Sequence, residues 1–327
     1  MPPEHEALVI LTRQKFPALE SVGCTVDPIL NGGSDRHFYR LAWSGNAHPR
    51  MVLMVYTLAR RDNPKFVPAT HRLAAHGVRV PAIYAFDEER LCVWLEDLGS
   101  NDLHSHRDSA WDLRRPLYEA TLSEGAKIHS ILEASLSKAD QSVLEPPFDE
   151  ALYLWEQEYF LTHFVQGHLQ RDCKAEKFAA AHEALKALRK RLGKEPRCLV
   201  HRDFQSQNVL LIGNEAWLVD YQGLRPGLAE YDLASLLYDP YVALTTQERS
   251  ELLDFYAAHR GIDGKELRQR FNLCAAQRLM QALGAYGNLS RNLGKPHYAQ
   301  YIPAAVANLT QVCERDASLH ELLPLFA

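Results

Sequence analysis

Residues His201-Arg202-Asp203-Phe204-Gln205-Ser206-Gln207-Asn208 place one carboxylate five positions ahead of one amide. In such a loop the Asp is placed to accept the proton of an attacking hydroxyl and the Asn to offer an oxygen to Mg²⁺; the chemistry served is phosphoryl transfer. A third oxygen donor, Asp220, ends the stretch in which residues 208–212 and 216–220 flank Gly213-Asn214. That pattern predicts a β-hairpin. Pairing Ile212 with Ala216 sets Asn208 opposite Asp220, and opposed residues lie ~5 Å apart and face the same side. Mg²⁺ usually takes one or two carboxylates and completes its shell with substrate phosphate. Taken singly, His-Arg-Asp also reads as a turn with a local ion pair, Asn208 as a turn cap and Asp220 as a strand end. Their joint spacing on a loop and hairpin is what points to chemistry.

The rest of the chain must hold these groups, and 327 residues suffice for two packed lobes. With 46% hydrophobic and 24% charged residues and a formal net charge of −5, the composition is that of a soluble globular protein and argues against a nucleic-acid partner. No apolar run approaches the ~18 residues of a membrane helix. The opening Met1-Pro2-Pro3-Glu4-His5-Glu6 lacks the basic and apolar regions of a signal peptide. Six scattered cysteines (Cys24, Cys92, Cys173, Cys198, Cys274, Cys313) form no C-x-x-C. Reduced thiols, a cytoplasmic location and no zinc site are expected.

Residues 4–16 pattern as a loosely amphipathic helix. Val26 to Leu30, the turn Asn31-Gly32-Gly33-Ser34-Asp35-Arg36 and the alternating His37 to Trp43 then read as strand, turn, strand. Such a turn is an ordinary hairpin connection or, beside a phosphoryl-transfer loop, a cradle of backbone N–H groups for phosphate. Arg50 to Leu58 is a further strand. In the kinase template that strand carries a Lys that meets phosphate. Met54 stands there instead, leaving Arg40, Arg36, Lys65 or additional metal to supply the charge. A helix over 63–77 and strands over 80–86 and 91–95 follow. Glu96-Asp97-Leu98-Gly99 is either a hinge whose backbone reads an adenine edge or a plain solvated loop.

From Asp112 the pattern is helical. His129 lies on the apolar face of that helix and reads as a satisfied core histidine. A helix beginning near Leu152 carries Glu156 and Glu158 on what reads as a solvated face, and residues 174–192 read as a surface helix. Asp232 reads as the N-cap of a helix over 231–239, or as an anchor for Arg202. The stretch between Asp220 and that helix is too short for the peptide platform of a protein kinase, which favours a small-molecule acceptor. Residues 247–323 read as helices.

The chain resembles the aminoglycoside phosphotransferase-like family of small-molecule kinases from about residue 32 to about residue 310. The resemblance rests on H-R-D-F-Q-S-Q-N at 201–208, V-D-Y-Q-G at 219–223 and Y-D-L-A-S-L-L at 231–237, with weaker marks G-G-S-D-R at 32–36 and L-E-D-L-G at 95–99. Within the family it is most similar to bacterial kinases that phosphorylate the anomeric hydroxyl of N-acetylmuramate and N-acetylglucosamine. The marks are the Arg of His-Arg-Asp, Leu237 to Tyr241, and Q-R-x-x-x-A-L-G-x-Y at 277–286. The resemblance implies an α+β, protein-kinase-like fold with an antiparallel β lobe over 1–97 and a helical lobe over 98–327. It implies ATP and Mg²⁺ as cofactors and a sugar as acceptor. Carried over by that resemblance, Asp203 would be the catalytic base, and Asn208 and Asp220 the metal ligands. By the same resemblance Gly32, Gly33 and Ser34 match the nucleotide loop and Glu96 and Leu98 the adenine hinge, while Arg40, as a candidate for the missing strand charge, is expected to contact the nucleotide. Glu158, Asp239 and Arg278 are candidates for sugar contacts. Competing readings are an aminoglycoside or small-alcohol kinase, and a kinase-like protein that binds without transferring. Oligomeric state is not legible.

Overall fold

The computed structural model describes residues 2–29, 35–45 and 48–326. Its first lobe is an antiparallel sheet in the order β1-β2-β3-β5-β4. The strands are β1 (Cys24–Ile29), β2 (His37–Trp43), β3 (Met51–Val55), β4 (Ile83–Asp87) and β5 (Cys92–Glu96). Period-two alternation sorts the side chains. Leu41, Met51, Leu53, Cys92 and Trp94 pack beneath helix α1 (Pro3–Lys15), where Trp94 Nε1 donates to Thr12 Oγ1 at 3.0 Å. Met54, Val93 and Leu95 face the other way and join helix α2 (Phe66–Ala75) and the main core. That second face leads to the cleft, so the strand alternation decides what the cleft's roof is made of. The expected glycine turn, with Gly32, Gly33 and Ser34, lies outside the described residues.

The second lobe is built on α3 (Trp111–His129), α4 (Lys138–Val143), α5 (Glu150–Phe160), α6 (Ala179–Leu192), α7 (Ala229–Leu237), α8 (Thr246–Arg260), α9 (Gly264–Arg291) and α10 (Ile302–Glu314). Helix α9 is its axis: Phe271, Cys274, Ala275, Leu279 and Leu283 are all buried. A π-helical turn, Leu161–His168, continues α5 and lies so close to α9 that a Cβ on Gly287 would collide with the His163 carbonyl. The apolar end of the chain folds in, with Leu322, Leu325 and Phe326 buried in this core.

Two short ribbons complete the second lobe, packed on α3 and α7: β6 (Cys198–Val200) with β9 (Arg225–Gly227), and the hairpin β7 (Val209–Ile212) with β8 (Glu215–Leu218). The hairpin forms, but its register differs from the expected one. Ile212 pairs with Glu215 and Val209 with Leu218, so Asn208 meets Val219, whose amide donates to the Asn208 carbonyl at 3.0 Å. The cause is the loop. A two-residue Gly213-Asn214 turn, with Gly213 at φ +59°, replaces the three-residue turn that the Ile212–Ala216 pairing requires. Asp220 therefore lies beyond the ladder.

Candidate active site

The loop at residues 201–208 leaves β6 and is held from below by a buried carboxylate. Asp232 Oδ2 accepts from the His201 amide at 2.6 Å and Oδ1 from the Arg202 amide at 2.9 Å. The same side chain meets His129 Nε2 at 3.1 Å, and His129 Nδ1 meets the Tyr256 hydroxyl at 2.8 Å. His129 is thus the satisfied core histidine expected. Asp232 is not an N-cap: α7 is capped at Leu228, and Asp232 sits inside its first turn. It anchors the loop's backbone, while the Arg202 guanidinium goes to Asp203.

With the loop anchored, side chains are aimed by three further ties. His201 Nε2 lies 3.0 Å from the Val219 carbonyl, linking the loop to the residue before Asp220. Asn208 Nδ2 donates to the Asp203 carbonyl at 2.8 Å, which turns the amide oxygen away from the loop. Tyr221 stacks on Phe66 of α2 at 5.3 Å, and its hydroxyl pairs with Thr70 Oγ1 at 2.8 Å. Arg202 and Asp220 both hold left-handed backbones, at φ +79° and +65°. For non-glycine residues this costs about 1–3 kcal/mol each and recurs where geometry serves a site. The twist at Asp220 aims its carboxylate, because the ladder no longer does.

Asp203, Asn208 and Asp220 line one cleft of about 600 Å³ between the lobes. Phe38, Val52, Leu95 and Leu210 give it an apolar slot beside the connector from Glu96 to Ser100, and Arg36, Arg202 and Asp220 line it as well. Glu96 lies at the end of β5, its carboxylate accepting from the Ala82 amide at 3.2 Å; Leu98 is nearly buried beside it. Arg40 binds this connector: Nε donates to Asp97 Oδ2 at 2.8 Å and Nη2 to the Gly99 carbonyl at 2.9 Å. Gly99 adopts φ +82°, a reason for glycine at that turn. Asp97, with 4% of its side chain exposed, is no solvated charge.

The donor set suits a hard cation. Asn208 and Asp220 offer oxygens, and among the described residues no three His, Cys, Asp or Glu side chains converge as a self-sufficient metal site. Mg²⁺ keeps several positions for phosphate and water, so two protein oxygens beside a nucleotide-sized cleft fit Mg²⁺·ATP.

Electrostatics set the state of Asp203. Burial pushes its carboxyl up, but the Arg202 guanidinium, its hydrogen bond, and Arg278 and His201 outweigh that and hold it below the ordinary carboxylate range. Asp203 therefore stays ionised at neutral pH. Activity that needs the carboxylate falls only as pH drops through this lowered value. Arg202→Met removes the nearest opposing charge and leaves the burial, so the acid limb of the kcat–pH profile should move to higher pH. Superimposable acid limbs for variant and parent would contradict this assignment.

The sugar-contact candidates separate. Asp239 is 3% exposed and accepts from the amides of Ser206 at 2.7 Å and Tyr241 at 3.0 Å, a second brace under the loop. Arg278, also buried, donates to Ser235 Oγ at 2.8 Å and acts on Asp203 by charge. Glu158 is exposed on α5 and does not line the cleft. The carboxylate that α5 turns inward is Glu156, against expectation. It is 3% exposed, accepts from the Tyr231 hydroxyl at 2.7 Å and Gln277 Nε2 at 3.0 Å, and has its carboxyl pushed up by burial. Tyr153, Glu156, Gln157 and Phe160 are the buried residues of α5, at i, i+3, i+4 and i+7. That spacing was the available signal.

Comparison with known proteins agrees with this architecture. Residues 25–271 match the model of the phosphotransferase enzyme family. A Pseudomonas aeruginosa protein named N-acetylmuramate/N-acetylglucosamine kinase is 26% identical, over 92% of this chain and 87% of its own. A Pseudomonas putida protein of the same name is 25% identical, over 90% and 85%. Among solved structures, a choline kinase from Cryptosporidium parvum superposes with a TM-score of 0.66 at 12% identity, covering 99% of this chain and 100% of that one. An ADP-bound aminoglycoside phosphotransferase gives 0.61 at 12% identity, covering 95% and 99%. These structural likenesses establish the kinase-like fold.

Proposed function

Because the chain belongs to the phosphotransferase enzyme family, we propose that it is an ATP-dependent sugar kinase that transfers the γ-phosphoryl group to the anomeric hydroxyl of an N-acetylated amino sugar, N-acetylmuramate or N-acetylglucosamine. The observation that carries the reading is the meeting of Asp203, Asn208 and Asp220 in one interlobe cleft. The acceptor class is supported by relatives of that name at about a quarter identity over most of the chain.

Asp203 orients the acceptor hydroxyl and takes its proton as the bond to phosphorus forms, with Arg202 keeping the carboxylate ionised beforehand. Asn208 and Asp220 hold the metal through oxygen. Bound Mg²⁺ supplies charge neutralisation to the phosphates. The backbone at Glu96 and Leu98 receives the adenine, under the roof of Val52 and Phe38. Asp239 supports the acceptor end through the loop it braces, and Arg278 through its charge on Asp203. Positioning and charge carry the rate enhancement, as phosphoryl transfer demands little covalent chemistry of the protein. No helix among the described residues is long and apolar enough to cross a membrane, which fits a cytoplasmic enzyme.

An ADP-release assay over a panel of N-acetylmuramate, N-acetylglucosamine, choline and aminoglycosides tests the reading. Turnover with the N-acetylated sugars alone is expected. Preference for choline or an aminoglycoside reassigns the acceptor, and tight ATP binding without turnover on any acceptor contradicts the kinase reading.

A further inference from the structure

Met54 occupies the strand position at which the kinase template has its phosphate-binding lysine, and it is fully buried. The cationic side chains near the cleft are committed in different places, and Arg202, which lines it, is held by Asp203. Lys65 is spent on Glu145 and the Leu144 carbonyl, each at 2.6 Å. Arg40 grips Asp97 and Gly99 at the connector, the end suited to a nucleobase. Arg60 pairs with Asp62 at 3.0 Å, and nearly half of its side chain is in solvent. Arg36 enters at the opposite end. Its Nη2 lies 2.6 Å from Asp220 Oδ1, with 4% of its side chain exposed.

Resting on the nucleotide-kinase reading above, we propose that Arg36 replaces the strand lysine as the phosphate-binding cation, and that it does so by exchange. In the nucleotide-free protein it neutralises Asp220. When metal and nucleotide arrive, Asp220 turns to the metal and Arg36 to the β- and γ-phosphate oxygens.

The geometry makes the exchange short. Adjacent ligands of one octahedral Mg²⁺ are about 3 Å apart. A phosphate oxygen sharing the metal with Asp220 therefore arrives within hydrogen-bond reach of a guanidinium already touching that carboxylate. The guanidinium fork matches phosphate bidentately, which a lysine cannot do. Exchange also keeps an anion beside a buried Arg36 in both states, and a buried charge stripped of its partner is strongly disfavoured.

Equilibrium titration without sugar separates this from the alternatives. Parent, Arg36→Met and Arg40→Met are titrated with AMP and with the non-hydrolysable Mg²⁺·AMPPNP, each variant first checked by thermal melting. Arg36→Met should weaken AMPPNP roughly 10- to 100-fold and leave AMP within about threefold, because only the triphosphate reaches Arg36. Arg40→Met should weaken both ligands alike, through the connector. Should the Met variant fail to fold, Arg36→Lys is used, and a smaller loss confined to AMPPNP is expected. Equal weakening of AMP and AMPPNP at Arg36, or parental AMPPNP affinity, overturns the proposal and leaves the kinase reading standing. A parent protein that binds no Mg²⁺·AMPPNP overturns the kinase reading itself.

Discussion

Asp203→Asn should abolish most turnover while nucleotide still binds. The amide keeps the side chain's size and an oxygen for Arg202, so the loop is disturbed little; what disappears is the proton acceptor. Loss of a positioned general base costs on the order of 10²–10⁴ in rate, or ~3–5 kcal/mol of transition-state stabilisation. The fall should appear in kcat, with Mg²⁺·AMPPNP affinity near that of the parent. The measurement is steady-state kinetics paired with a binding titration. A kcat within a few-fold of the parent would remove Asp203 from the role, and parallel loss of nucleotide binding would show that it supports the fold of the cleft instead.

The second large effect is expected at a residue that touches no reactant. Asp232 is fully buried and accepts from the backbone amides of His201 and Arg202 and pairs with His129. Asp232→Ala leaves two buried amides and one imidazole without their acceptor. An orphaned buried polar group costs about 1–3 kcal/mol, and breaking a buried charged network ~3–5 kcal/mol in total. The melting temperature should fall by several degrees, with activity reduced even well below it, because the loop carrying Asp203 loses its floor. Asp232→Asn should fall between, since an amide nitrogen cannot accept from a backbone N–H. Unaltered melting in the Ala variant would refute the anchoring role.

Element order, the two lobes and the hairpin after the catalytic loop were legible in the sequence, because alternation, turn chemistry and helical spacing all agree there. The register was misread by one residue, although two-residue loops are the commonest hairpin connections. The consequence was small: left-handed φ at Asp220 restores by backbone twist what the ladder withdraws. Glu156 was misread as a solvated charge because residue type outweighed position. A carboxylate on the buried stripe of α5 belongs to the interior when Tyr231 and Gln277 come from α7 and α9 to meet it, and those are long-range partners that no local pattern reveals. The tie from Arg36 to Asp220 spans 184 positions and is invisible for the same reason.

The central claim is that Asn208 and Asp220 hold one metal against a nucleotide in the cleft that Asp203 faces. The most direct test is a Mn²⁺ titration in the presence of AMPPNP, followed by electron paramagnetic resonance, for the parent and for Asn208→Ala and Asp220→Ala. Stoichiometric nucleotide-dependent binding in the parent, weakened at least about tenfold in each variant, is the predicted result. Parental Mn²⁺ affinity in both variants would contradict the account.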